Sequence, residues 1–454
     1  MYLTMNKLYL SFFVFILFCS FVLGQGKDEF KPEVKIGGVL YTGWEFNVDN
    51  ANFISKLDTS SNGANSSAAF GYNPTSHQFE TNMNSFYLER AYINVLASLA
   101  PNVKGKITPD IISFKDQSGT TQYSFGVKYA WVDWTAFKQQ SGLALDFTMG
   151  VIPNRWIQRN ETYWGYRGFA KSFTDFAFTT SASVAGNTVT RNTGSFFSSA
   201  DLGAEAMLTL PKGYSELYVN VLNGNGYRNL NFDNRFKDFM ASLYIHPLAG
   251  EIGKKMDALK KNGKDRLAGV NDLTIGGLAY VGKLANSENN TISPSTGLVG
   301  AQYVRNRFGG VANFKYNFKK FGFIKIGGEF DVQSNQDPSS AKPDSVSKVT
   351  ASGFSGWLEF NPPVQSLNEK LMLVVRFDSF DPNTGNDNAS TTSFNDNTDK
   401  QTLLIFGIAY KPVKTATLGI TYQSTTYQSQ YIVKYDGTTT KTDARLLIHG
   451  ILDF

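Results

Sequence analysis

Three kinds of side chain in this sequence have types and spacings that chemistry could use. The first is a run of cations among aromatics. Arg155, Arg159, Arg167 and Lys171 stand against Glu161 and Asp175 within a stretch that also carries Trp156, Tyr163, Trp164 and Tyr166. A loop surrounded by water has little use for so many large aromatics, whereas a loop packed against a wall does. A positive excess in a narrow, partly dehydrated passage would lower the barrier for anions and raise it for cations. The second is an oxygen-rich cluster, Asp378, Asp381, Asn383 and Asp387. Clustered carboxylate and amide oxygens suit Ca²⁺, although the bidentate Glu of an EF-hand is missing and Asn and Asp also serve as plain turn formers. The third is three histidines, His77, His246 and His449, none in a metal spacing or a nucleophile motif. No phosphate-cradling glycine loop is present, so the expectation is not an enzyme and no obligatory cofactor.

The elements that would carry these residues follow a period of two. Counting back from Phe454, Leu452, Gly450, Ile448 and Leu446 share one face; Asp453, Ile451, His449, Leu447 and Arg445 share the other. The same alternation predicts strands at Val34–Val48, Asn84–Ala97, Val103–Ser113, Gln122–Thr135 and Leu143–Pro153. It continues at Leu202–Leu210, Ser215–Leu222, Phe236–His246, Asn271–Val281, Arg305–Phe318 and Phe321–Gln333. Thr350–Asn361, Lys370–Phe380, Gln401–Lys411, Thr415–Thr426 and the closing strand bring the count to about sixteen. In the fourth strand the alternation places Tyr123, Phe125, Val127, Tyr129 and Trp131 on one face and Lys128 on the other. Odd-to-even connections are long and even-to-odd ones short, with 247–269 as the exception, where Leu248, Ile252, Met256 and Leu259 predict a short surface helix.

Composition agrees with strands that alternate between lipid and water. Charged residues are only 18%, aromatics 14%, and glycines number 41, with a mean hydropathy of −0.23 that excludes a bundle of apolar helices. Lys7, the apolar run Leu8–Leu23 and Gly24 predict a signal peptide over residues 1–24, with the mature chain, 25–454, forming a single barrel. Cleavage would remove Lys7 and the only cysteine, Cys19, taking the net charge from +5 to +4 and leaving no disulfide framework. So small an excess does not point to nucleic acid. The expected fold is all-β: a transmembrane antiparallel β-barrel in which the C-terminal strand pairs with the first, because an open edge cannot exist in lipid. A secreted soluble sandwich is the competing class. It has no reason to alternate its loop lengths.

With the less apolar face inward, Lys35, Arg90, Lys104, Lys106 and Lys128 form a basic wall on strands one to four, with Glu45 among them. Glu205, Glu216, Asp272, Glu329, Asp331 and Glu359 lie on the later strands, mixed with Lys315, Lys325 and Arg376. Opposed walls would set a field across the interior. The plainer reading is that a water-filled wall needs polar residues of both signs.

Three stretches together resemble the phosphate-selective porin group and its relatives among bacterial outer-membrane porins. They are Phe86-Tyr-Leu-Glu-Arg-Ala-Tyr-Ile-Asn94, then Lys128-Tyr-Ala-Trp-Val-Asp-Trp134 leading to Gly150-Val-Ile-Pro153, and Arg376-Phe-Asp-Ser-Phe-Asp-Pro-Asn383, with Phe454 at the end. The likeness implies a sixteen-stranded, commonly trimeric barrel in the outer membrane of a Gram-negative-type bacterium. It also implies a third outer loop folded inward, which places 154–201 in the lumen as the constriction. The partners that follow are membrane lipid, the barrel-assembly machinery acting on the strand that ends in Phe454, and small anionic or neutral solutes. A dense ladder of arginines has no counterpart here. A surface barrel serving mainly as an adhesin through its long loops is the alternative.

Overall fold

The computed structural model describes residues 30–48, 51–52, 72–73, 78–79, 84–115, 121–176, 180–184, 187–191, 196–227, 237–250, 271–285, 302–318, 322–335, 349–364, 367, 370–381, 384, 400–428, 432–434 and 439–454. The expected signal peptide, His77, Asn383, Asp387 and nearly all of the expected helix at 247–269 lie outside them.

Sixteen strands form one closed antiparallel barrel. They are β1 Glu33–Asn47, β2 Asn84–Ala100, β3 Val103–Lys115, β4 Thr121–Lys138, β5 Ala144–Pro153, β6 Ala200–Thr209, β7 Ser215–Leu222 and β8 Asp238–Ile245. The second half comprises β9 Asp272–Ala285, β10 Gln302–Asn317, β11 Phe323–Asn335, β12 Val349–Asn361, β13 Leu371–Asp381, β14 Gln401–Val413, β15 Ala416–Tyr427 and β16 Thr442–Asp453. Each strand pairs with its neighbours in sequence, and β16 returns to β1 from Val39↔Asp453 to Asn47↔Arg445. Gly38 N donates to Phe454 O at 2.7 Å and Phe454 N to Gly38 O at 3.0 Å, so the aromatic end of the chain seals the seam.

The two faces are inverted relative to a water-soluble protein. Phe86 is 88% exposed, Phe125 74% and Met149 65%, whereas Asp331 and Arg376 are 1% exposed inside. Apolar side chains facing outward around a closed ladder define a transmembrane β-barrel: lipid accepts the outer surface, and the wall has no open edge. Glu205, Glu329, Asp331 and Glu359 all lie buried on the inner face, as the alternation predicted.

The expected faces fail on β4. Tyr129 and Trp131 were expected to share the outer face with Phe125. Between Thr108 and Pro109 the register jumps, so that Thr108 pairs with Tyr129 and Pro109 with Val127, leaving Lys128 as an extra residue. Pro109 has no N–H to give the ladder, and a bulge is where a sheet tolerates proline. The extra residue reverses the phase of β4. Lys128 turns inward, Tyr129 follows it, and Val132 becomes the outward residue, 43% exposed.

The seam between β1 and β16 is close. A Cβ on Gly38 would meet the Phe454 ring and the Tyr92 carbonyl oxygen, whereas one on Gly277 would meet nothing. Gly38→Val is therefore expected to lower barrel stability by about 1–3 kcal/mol and to broaden thermal unfolding in detergent. Gly277→Val is expected to unfold with the parent protein. Equal transitions for the two variants would contradict the role given to the seam.

Candidate pore constriction

The connection from β5 to β6 starts with a helix that the strand pattern did not foresee, α1 (Arg155–Trp164). Its limits are written in the sequence. The Asn154 side chain caps the start by accepting from Ile157 N at 3.3 Å, and Gly165 ends it in the left-handed conformation at φ 76°, donating to Glu161 O at 2.8 Å. Trp156, Ile157, Asn160 and Trp164 form the buried side. The chain then continues through 165–176 inside the barrel, and together with α1 it makes a strap along the inner wall from β6 round to β16.

Four kinds of contact hold the strap there. Arg155 pairs with Glu205 on β6 at 2.7 Å, and Arg159 pairs with Glu216 and donates to Tyr218 Oη at 2.8 Å on β7. On β11, Trp156 Nε1 donates to Asp331 at 3.1 Å and Asn160 to Glu329, while the Thr174 backbone N–H reaches Glu329 at 3.0 Å. The Thr174 hydroxyl lies 2.9 Å from Asp331 and 3.2 Å from Glu329. Farther round, Trp164 packs edge-on against Trp357, and Arg376, held by Asp378 at 2.7 Å, donates to Lys171 O. At the far end the Phe169 ring lies 4.9 Å from the His449 ring, and Phe169 O accepts from Gln423 at 2.7 Å. Trp156, Ile157, Phe173, Phe196 and Phe197 join Tyr218, Met240 and Tyr244 in one buried cluster. The expectation that the aromatics of this stretch pack on a wall thus matches the geometry.

The expected net positive constriction does not. Each of the three arginines is ion-paired: Arg155 to Glu205, Arg159 to Glu216, and Arg167 to both Glu161 at 2.7 Å and Asp175 at 2.9 Å. Burial alone would lower the Arg167 pKa, and Glu161 and Asp175 outweigh it, so the guanidinium stays charged. Burial also holds the Lys171 ammonium below its usual value, with Asp175 opposing. Arg155 and Arg159 neutralise the acidic wall, whereas Arg167 borders the open space with its charge matched inside the strap itself.

The open space lies on the other side of the strap. A cavity of about 370 Å³ separates α1 and its continuation from β1–β4, reached by Tyr41, Tyr92, Lys128, Tyr129 and, from the strap, Gln158 and Arg167. Of the basic wall, Lys128 lines this cavity, and Arg90 and Lys106 reach its tyrosines. Arg90 and Lys128 both donate to the Tyr92 hydroxyl at 2.8 Å, and Lys106 sits 5.3 Å from the Tyr129 ring. Lys35 and Lys104 are at exposed positions near strand starts, Lys35 within 3.5 Å of Glu33, and neither reaches the cavity.

Of the oxygen cluster, Asp378 places both carboxylate oxygens on Arg376, and Asp381 lies at the end of β13. Among the described residues no group of three or more His, Asp or Glu is placed to hold a metal. His449 sits between two hydroxyls, Tyr87 at 3.1 Å and Thr421 at 2.8 Å, and His246 beside Thr274 at 2.9 Å. Reading residue types alone missed Asn160, Thr174, Tyr92 and Tyr129. Only the Asn154–Gly165 cap pair could have located the helix that carries the first of them.

Neither a protein-family model nor a curated protein matches this chain. Solved structures similar to it include the outer-membrane expressed OmpT of Vibrio cholerae, 12% identical over 95% of this chain and 100% of that one, TM-score 0.47. The outer-membrane channel DcaP of Acinetobacter baumannii is 11% identical over 95% and 100%, TM-score 0.48. An anion-selective porin from Comamonas acidovorans is 10% identical over 93% and 100%, TM-score 0.48. At such identities and overlaps, the reading of the site rests on the geometry above.

The Thr174 hydroxyl is the hinge between strap and wall. Thr174→Val keeps the shape and removes the donor, at a cost of about 1–3 kcal/mol. Limited proteolysis of the folded protein in detergent is expected to cut within 155–176 several-fold faster than in the parent. An unchanged cutting rate would show that the strap does not depend on this contact.

Proposed function

We propose that the protein is an outer-membrane porin, a water-filled channel for passive diffusion of small hydrophilic solutes with a preference for anions. One observation carries this reading. The strap lies on the acidic wall and pairs Arg155 and Arg159 there, and the open space that remains is lined by Lys128, with Arg90 and Lys106 against its tyrosines. Among the described residues, no carboxylate lies within ion-pair distance of these three cations. A cation held beside a narrow, partly dehydrated passage lowers the barrier for anions. The outward apolar face supports residence in lipid, and the seam made by Phe454 supports assembly by the machinery that inserts such barrels. A homotrimer is the assembly the sequence resemblance implies.

Planar-bilayer recording tests the proposal. Purified protein is expected to give stepwise openings and a zero-current potential on the anion side in a KCl gradient. The combined replacement Arg155→Ala, Arg159→Ala and Arg167→Ala uncovers Glu205, Glu216, Glu161 and Asp175 and is expected to move that potential toward cation preference. Folded protein that gives no steps, or a variant with the parent's potential, would contradict the reading.

A further inference from the structure

The cavity between the strap and the β1–β4 wall has an unusual lining for a simple water path. Four phenol rings, Tyr41, Tyr92, Tyr129 and Tyr166, and the apolar side chain of Ile157 border it together with Lys128. Lys128 is only 3% exposed. Its Nζ donates to the Tyr92 hydroxyl at 2.8 Å and lies 4.5 Å from the Tyr92 ring and 5.4 Å from the Tyr129 ring. An ammonium has three N–H donors and no acceptor. Among the described residues Tyr92 is its only hydrogen-bond partner, and Arg90 donates to the same hydroxyl. The carboxylates of Asp175 and Asp110 act on Lys128 from beyond ion-pair distance, and an anion arriving in the cavity would supply the direct partner it lacks. The other charges there come in both signs: Arg167 is flanked by Glu161 and Asp175, Arg90 and Asp110 stand beside Tyr92, and Lys411 and Asp453 add one of each.

We propose that this cavity is a binding subsite for small aromatic monocarboxylates, with the carboxylate on Lys128 and the ring among the tyrosines. The proposal deepens the anion preference stated above and rests on it. The lining selects against a small, strongly hydrated polyanion. Such an ion needs many donors, and here one ammonium with two open N–H groups is set among rings and an aliphatic side chain. A single carboxylate uses those donors, while its planar body replaces water against the phenol faces. At about 370 Å³ the space falls within the usual range of small-molecule sites. The bulge at Thr108/Pro109 is what brings Lys128 and Tyr129 to the same side, so one irregularity supplies both halves of the site.

Calorimetry on the full barrel folded in detergent tests this with benzoate, acetate and inorganic phosphate as probes. Benzoate is expected to bind saturably, at least tenfold more tightly than acetate or phosphate. Lys128→Met is expected to weaken benzoate at least tenfold. Tyr129→Leu is expected to bring benzoate close to acetate; it keeps the cation, so it remains informative even where Lys128→Met folds poorly. Benzoate no tighter than acetate, phosphate tighter than benzoate, or full benzoate affinity in folded Lys128→Met would overturn the proposal. Conductance plays no part in this readout, so a barrel that binds benzoate yet never opens supports the subsite while defeating the channel.

Discussion

Every strand in this barrel depends on the pairing of β1 with β16. Inside lipid an unpaired N–H or carbonyl costs several kcal/mol, so a sheet must have no edge. Nine residue pairs and the reciprocal Gly38–Phe454 hydrogen bonds remove the last edge. The even strand number, the neighbour-to-neighbour pairing and the alternation of short and long connections follow from that closure. So does the inverted burial, with Phe86 and Phe125 outward and Asp331 and Arg376 inward. A closed sheet of sixteen strands also encloses more space than its own wall side chains fill, and that space invites a strap.

Charge decides where the strap lies. The inner wall from β6 to β12 carries Glu205, Glu216, Glu329, Asp331 and Glu359. Left unpaired at this burial, those carboxylates would repel one another and lose their solvation. Arg155 and Arg159 supply counter-charge, and Trp156, Asn160 and Thr174 supply hydrogen-bond donors. The opposite wall holds Arg90, Lys106 and Lys128 and is left facing the opening. Thus opposed charge on the two walls does not survive as a plain field across the lumen. One side is neutralised by the strap, and the other keeps Arg90, Lys106 and Lys128 with the carboxylates of Glu89 and Asp110 nearby.

The strands were legible because their signal is local. Period-two alternation needs no knowledge of partners, and all sixteen expected segments coincide with strands to within a few residues. Tyr129 and Trp131 were misplaced because one proline on the neighbouring strand shifts the phase, and the periodicity of β4 alone does not reveal Pro109. The role of the arginines was misread for a similar reason. Arg155 and Glu205 are 50 residues apart, and Asn160 and Glu329 are 169 apart, so only the closed barrel brings them together. Asp378 looked like a cation ligand within a run of loop oxygens, yet its strand parity turns it inward onto Arg376 two residues away. The helix α1 was legible but hidden in a stretch read as loop, since Asn154 and Gly165 are ordinary helix-ending residues.

The proposed passage runs between the strap and β1–β4, not between the strap and the acidic wall. Because the sequence beyond Gly24 contains no cysteine, single cysteines can report on each side. Thr162 is exposed on the α1 face toward the opening, whereas Ser355 is buried behind the strap beside Trp357. Single-channel conductance before and after a bulky, water-soluble thiol reagent is the most direct measurement. A stepwise loss of conductance is expected for Thr162→Cys and none for Ser355→Cys; the reverse pattern would contradict this placement of the passage.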